Sequence, residues 1–193
     1  NLIAEHIHVL NERLEKRGYS MKANFQIKED GATNMMQEIL DQNKNISVTP
    51  MKKEHIEGIM AMLRPYYGEC ETVVSTANGS LIESKNQEFI HLLTYGYHNH
   101  FRLVEDVLKE KEEIIKIAVY RKGSIRRLGE EKFIPPWEDK VKACMAGEEW
   151  VDFMDQSVDK GNGLKVLEKF LGICKEETMA TTITEITITE ITT

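Results

Sequence analysis

The sequence predicts an α+β protein with a small mixed or antiparallel sheet and amphipathic helices, followed by a helical C-terminal part. Three observations support this. Apolar and polar residues alternate from Tyr19 to Ile27, which is typical of a half-buried strand. Helical spacing of apolar residues recurs through the first two thirds of the chain. Beyond Pro135-Pro136 only helical patterns remain.

The N-terminal quarter predicts four elements in order. Apolar residues on one stripe predict a helix over 2–17, which Gly18 would end in a left-handed conformation. The alternating segment predicts a strand over 19–27. A short helix is expected over 35–40 and a short strand over 46–48.

The next segment carries strong helix boundaries. Thr49 can cap free amides and Pro50 suits the first helical turn, while Pro65 would end the helix. Its buried face is predicted from four apolar residues at helical spacing: Ile56, Ile59, Met60 and Leu63.

A hairpin is predicted next, with strands over 71–77 and 80–84. Asn78 and Gly79 lie between them, and this dipeptide readily adopts the positive φ angles of a type I′ turn.

One long helix is then expected from Ser84 to Leu108, although Gly96 in its middle favours a kink or a break. The β-branched segment 114–120 predicts a strand, and 125–128 is expected to pair back onto it.

The domain organisation is predicted from this order of elements. We expect an α+β domain over 1–134, a helical subdomain over 135–177 and a low-complexity tail over 178–193. The tail repeats ITEIT and could be an edge strand, a pairing segment or a linker. Short helices are expected in the subdomain over 137–146, 148–158 and 164–176.

Composition narrows the function classes. The net charge of −7 argues against a protein whose main role is to bind nucleic acid. No apolar run reaches the roughly 18 residues of a membrane span, so no membrane partner is expected. Cys70, Cys144 and Cys174 are far apart, which favours reduced thiols and a cytoplasmic location. Because the chain begins with Asn1, it is interpreted as a processed product or an excised domain.

One helix face offers a candidate metal site. Imidazoles and carboxylates at spacings of three and seven would lie on one side of the predicted helix. The alternative is the solvated face of an amphipathic helix, and no cofactor is expected from any other motif. The four residues are Glu88, His91, His98 and Glu105.

A basic cluster around a predicted turn offers a candidate nucleic-acid site. It could contact phosphates, or it could simply keep a sheet edge soluble. Its members are Arg121, Lys122, Arg126 and Arg127.

The leading hypothesis is a non-enzymatic protein-interaction or assembly domain from a larger intracellular or viral protein. It rests on the lack of a complete catalytic set and on the short amphipathic helices, which would bind a protein partner or a second copy. The alternatives are the nucleic-acid module and a metal-dependent enzyme. The predicted interface consists of Trp137, Met145, Trp150, Phe153 and Met154.

Overall fold

A computed structural model describes residues 38–41 and 44–172. Within them lie an antiparallel pair of strands, β1 (Glu38–Asp41) and β2 (Lys44–Val48), and one larger sheet. The predicted helix over 2–17, the strand over 19–27, Cys174 and the tail lie outside the described residues. The predicted short helix over 35–40 is wrong at its C-terminal end, because its last residues pair in β1 with β2.

The larger sheet has six strands in the order β5-β4-β3-β6-β8-β7. Only β4 and β5 are parallel; every other neighbouring pair is antiparallel. The prediction of a mixed sheet with helices is therefore confirmed. The strands are β3 (Glu71–Thr76), β4 (Gly79–Ile82), β5 (Phe101–Leu103), β6 (Ile114–Tyr120), β7 (Lys142–Met145) and β8 (Trp150–Met154). The helices are α1 (Lys53–Leu63), α2 (Gln87–His91), α3 (Arg126–Leu128) and α4 (Lys160–Leu171).

Helix α1 confirms the element predicted after Thr49 and Pro50, although it begins at Lys53. Its predicted apolar face is buried as expected. The segment before it is tied to the sheet, because the Met51 amide donates to the carbonyl of Ile114 at 2.8 Å. A short 3₁₀ turn, Arg64–Tyr66, follows the helix and contains Pro65.

The β3–β4 hairpin confirms the predicted strand pair but not the predicted turn. Thr76 pairs with Gly79, so Ala77 and Asn78 form the loop. Of these residues only Gly79 has a positive φ, +132°, and it already belongs to β4. A type I′ turn would need positive φ at both loop residues.

The predicted long helix from Ser84 to Leu108 is wrong. Helix α2 ends at His91 and continues only as a π-helical turn, Leu92–Gly96. The chain then pairs along β4 as strand β5. Gly96 is a poor helix former, which favours an end to the helix there. The residues that follow can then form backbone hydrogen bonds with the free edge of β4.

The segment after β6 also differs from its prediction. Residues 125–128 do not pair back; α3 continues into a second π-helical turn, Gly129–Phe133. The two strands that pair with β6 are β3 on one edge and β8 on the other.

The helical C-terminal part is not confirmed. The segments expected as helices over 137–146 and 148–158 contain β7 and β8, so the sheet joins residues from both sides of position 135. Their short apolar runs suit either a helix or a strand. Pairing decides between the two, because β8 pairs with β6 and β7 pairs with β8. The last predicted helix is present as α4. Asp159 caps it by accepting from the Asn162 amide at 2.7 Å, and Gly172 ends it with a φ of +61°.

The core has two layers. One face of the sheet packs against α1 and the end of the α3 segment, where the buried side chains include Ile59, Phe133 and Phe153. The opposite face packs against α2 at one end, through Phe89 and Leu93. Far from α2, this second face becomes polar.

Candidate functional site

A row of mostly polar side chains crosses one face of the six-stranded sheet. Helix α2 packs on the same face, at the opposite end of the strands. Cross-strand pairing places its members directly opposite one another on five strands, and side chains paired in this way lie on the same face. From β4 to β7 the row is Ser80, Ser75, Lys116, Met154 and Lys142. Because a sheet face inside a protein is normally apolar, we take this row as the candidate functional site.

A buried acid lies beside the row. The Lys116 ammonium is 3.4 Å from Asp152 Oδ2, and the Asp152 side chain is only 7% exposed. Burial raises the pKa of the Asp152 carboxyl, and the ion pair with Lys116 opposes that rise. The site therefore holds a carboxyl whose charged form is poorly solvated and depends on one lysine.

Cys144 lies directly opposite Asp152 on β7. Burial raises the pKa of the Cys144 thiol, the Asp152 charge raises it further, and Lys142 and Lys116 oppose the rise. A thiol with a raised pKa is a weak nucleophile at neutral pH. We therefore assign Cys144 a packing role between the charged groups.

Sequence reasoning assigned no function to Lys116, Lys142 or Asp152. A signal was available, because Lys116 is the only charged residue in the strand IIKIAVY and Asp152 the only one in WVDFM. A charge inside an apolar strand indicates a specific partner. The partner of Lys116 could not be predicted, because the segments that form β7 and β8 were expected to be helical.

The four predicted metal ligands do not come together. Glu88 and His91 share α2, but His98 follows the π-helical turn with a φ of +49° and Glu105 follows β5. Glu88 pairs with Lys122, and His91 packs on Tyr95 with ring centroids 4.6 Å apart. The premise of one helix face is wrong, and the described residues contain no group of three or more His, Cys, Asp or Glu side chains that could hold a metal ion.

The four basic residues predicted to bind nucleic acid all pair with carboxylates of this chain. Their charges are therefore already compensated, and the cluster is not a free basic surface. The pairs are Arg121 with Glu69, Lys122 with Glu88, Arg126 with Glu148 and Arg127 with Glu131.

The residues predicted as a protein interface lie mainly in the core. Phe153 and Met154 have no exposed surface. Trp137 and Met145 pack against the core beneath α1 and α3, and the Trp150 indole donates to the Tyr97 hydroxyl at 3.0 Å. These side chains hold the sheet to its helices.

A cleft of about 320 Å³ opens beside Tyr67 and Glu83. The Glu83 carboxylate accepts from Arg64 at 2.8 Å, from the Tyr67 hydroxyl at 2.7 Å and from the Val107 amide at 2.8 Å. Burial, with a smaller effect of Glu83, raises the pKa of Tyr67 to about 12. Since Glu83 is fully engaged, this network anchors the loop around it rather than offering an open acid.

Comparison with known proteins identifies the protein family. The family model described as haloacid dehalogenase-like hydrolase matches residues 17–181. The chain therefore belongs to the haloacid dehalogenase-like hydrolase family, whose fold is consistent with the mixed α/β architecture. No curated protein matches the chain.

Solved structures are similar in fold. A crystal structure from Eubacterium rectale is 26% identical, with a TM-score of 0.67 over 77% of this chain and 55% of the other. A haloacid dehalogenase-like hydrolase from Bacteroides thetaiotaomicron is 14% identical, with a TM-score of 0.57 over 69% and 50%. A sugar phosphatase of HAD subclass IIB is also 14% identical, with a TM-score of 0.57 over 73% and 52%. The chain thus spans about half the length of these structures.

These findings correct the functional prediction. The hypothesis of a non-enzymatic interaction domain is wrong, and so is the viral origin, because the chain belongs to a hydrolase family. A nucleic-acid partner stays a prediction. Among the described residues no helix is long and apolar enough to cross a bilayer. The expected protein partner stays a prediction.

Proposed function

We propose that this chain is part of a hydrolase that cleaves phosphate esters, transferring the phosphoryl group to water and releasing an alcohol and inorganic phosphate. The observation that carries the proposal is membership of the haloacid dehalogenase-like hydrolase family over residues 17–181. The similar sugar phosphatase favours a phosphate ester over a haloacid as the substrate.

In this proposal the described sheet contributes a substrate-binding surface. The polar row places Lys116 and Lys142 on one face, and lysine ammonium groups suit phosphate and other oxyanions. Binding energy from a part of the substrate that does not react can be used to orient the reacting group. Because the chain spans about half of the similar structures, the activity is proposed for the whole protein.

The test is an assay of the complete gene product against two substrate classes. We expect inorganic phosphate to be released from at least one sugar phosphate, and no halide to be released from 2-chloropropionate. Halide release without phosphate release would contradict the proposal, and so would the absence of both products from a folded preparation.

A further inference from the structure

We propose that Lys116 and Lys142, with the hydroxyls of Ser75 and Ser80, bind a second anionic group of the substrate, remote from the phosphate that is cleaved. The inference rests on the proposed function. It makes the substrate a phosphate ester that carries a further phosphate or carboxylate.

The register sets the span of this site. Lys116 and Lys142 both lie directly opposite Met154, on the strands that flank β8. Two strand spacings separate their backbones, which is about 10 Å. Lysine side chains are long enough to converge on one anion from that separation. The Met154 side chain belongs to the same face between them and is completely buried.

Charge favours an anion at this position. The five arginines of the described residues, Arg64, Arg102, Arg121, Arg126 and Arg127, all pair with carboxylates. Lys142 has no ion-pair partner in that part of the chain although it is partly buried. Asp152 pairs with Lys116 only, so the charge of Lys142 is left without a carboxylate partner among the described residues. This local excess of positive charge stands out in a chain of net charge −7.

The two serines extend the same row. Ser75 lies directly opposite Lys116, and Ser80 lies directly opposite Ser75. Ser80 is buried and Ser75 is partly buried. Buried hydroxyls normally have a hydrogen-bond partner, and an oxyanion would accept from both. The row therefore offers two cations and two hydroxyl donors to one ligand group.

The first experiment measures anion binding by this chain without turnover. Amide chemical shifts are followed while inorganic phosphate is added. We expect shifts in β3, β6 and β7, and Lys142→Gln should weaken the apparent affinity about tenfold, as expected for loss of a charge-assisted hydrogen bond. Lys132→Gln is the matched control, since Lys132 is exposed on the helical turn after α3. It should leave the affinity unchanged.

The second experiment uses the complete gene product. With fructose bisphosphate as substrate, Lys142→Gln should lower kcat/KM about tenfold, whereas the loss for fructose monophosphate, which lacks the second anionic group, should be much smaller. Lys142 carries this test because Lys116→Gln would leave Asp152 buried without its partner and endanger folding.

Three results would overturn the inference: no shifts along the row, equal weakening in the Lys142 and Lys132 variants, or unchanged discrimination between bisphosphate and monophosphate. An enzyme that hydrolyses no phosphate ester would contradict the proposed function instead. The phosphate titration distinguishes the two failures because it needs no catalysis.

Discussion

Lys116 on β6 and Asp152 on β8 form an ion pair along a diagonal of the sheet. The residue directly opposite Lys116 is Met154, and the residue opposite Asp152 is Ala118. The lysine must therefore lean along its strand to bring Nζ within 3.4 Å of Oδ2. The Lys116 side chain is partly exposed, whereas the Asp152 side chain is buried. The charged form of Asp152 therefore depends more strongly on the ion pair than that of Lys116 does.

Asp152→Asn should alter how stability depends on pH. Because burial raises the pKa of the folded carboxyl, the folded state retains its proton at pH values where the unfolded state has lost it. This group therefore lowers stability as pH rises from about 4, the ordinary pKa of aspartate, through its folded pKa. The free energy of unfolding of Asp152→Asn, relative to the natural chain, should increase over that range in urea titrations.

The control for this pH experiment is Asp139→Asn, which removes an exposed carboxylate. Its stability difference from the natural chain should stay nearly constant with pH. A flat difference for Asp152→Asn as well would show that the buried carboxyl does not titrate as proposed.

Phe153→Ala should destabilise the protein by about 3–5 kcal/mol, because it removes a large side chain from a fully buried position. Chemical denaturation measures this loss. Leu103→Ala is the control, since that side chain is 55% exposed, and it should cost less than about 0.5 kcal/mol. Similar costs at the two sites would contradict the assignment of Phe153 to the core.

Gly58→Ala should destabilise α1 although alanine is the better helix former. A Cβ at position 58 would lie 2.4 Å from Cη2 of Trp137, so the indole would have to move. The net cost should be about 1–3 kcal/mol by thermal or urea unfolding. In a Trp137→Ala background the same change should become stabilising by up to about 1 kcal/mol. Destabilisation in both backgrounds would rule out this clash as the cause.

Glu83→Gln should lower the pKa of Tyr67 from about 12 but leave it above the ordinary tyrosine value. The charge and hydrogen bond of Glu83 raise that pKa, while burial, the larger cause, is unchanged by the substitution. Ultraviolet titration of the phenolate can follow the shift by difference against Tyr67→Phe. The same variant should lose about 1–2 kcal/mol of stability, because the partly exposed Arg64 would lose one of its two carboxylate partners.

If Glu83→Gln left both the tyrosine titration and the stability unchanged, the network would not be the anchor described. Glu138→Gln is the matched control, since Glu138 is exposed and remote in sequence from this network. It should alter neither measurement.

Local patterns in the sequence determined several elements correctly. Pro65 and the apolar face of α1 mark a helix that packs as predicted, and the β-branched segment 114–120 forms β6. The two strands of the hairpin are also where the turn signal at Asn78 and Gly79 places them. These elements depend on propensity and periodicity within one segment, which a single sequence contains.

Only the tertiary structure decided the rest. The segments that form β5, β7 and β8 have ambiguous local patterns. They become strands because β4, β6 and then β8 offer open edges with which they pair. The polar row exists only once four strand pairings bring Ser80, Ser75, Lys116 and Lys142 onto one face. Residues that share neither a helix nor a strand become neighbours through long-range hydrogen bonding, and no local pattern encodes that register.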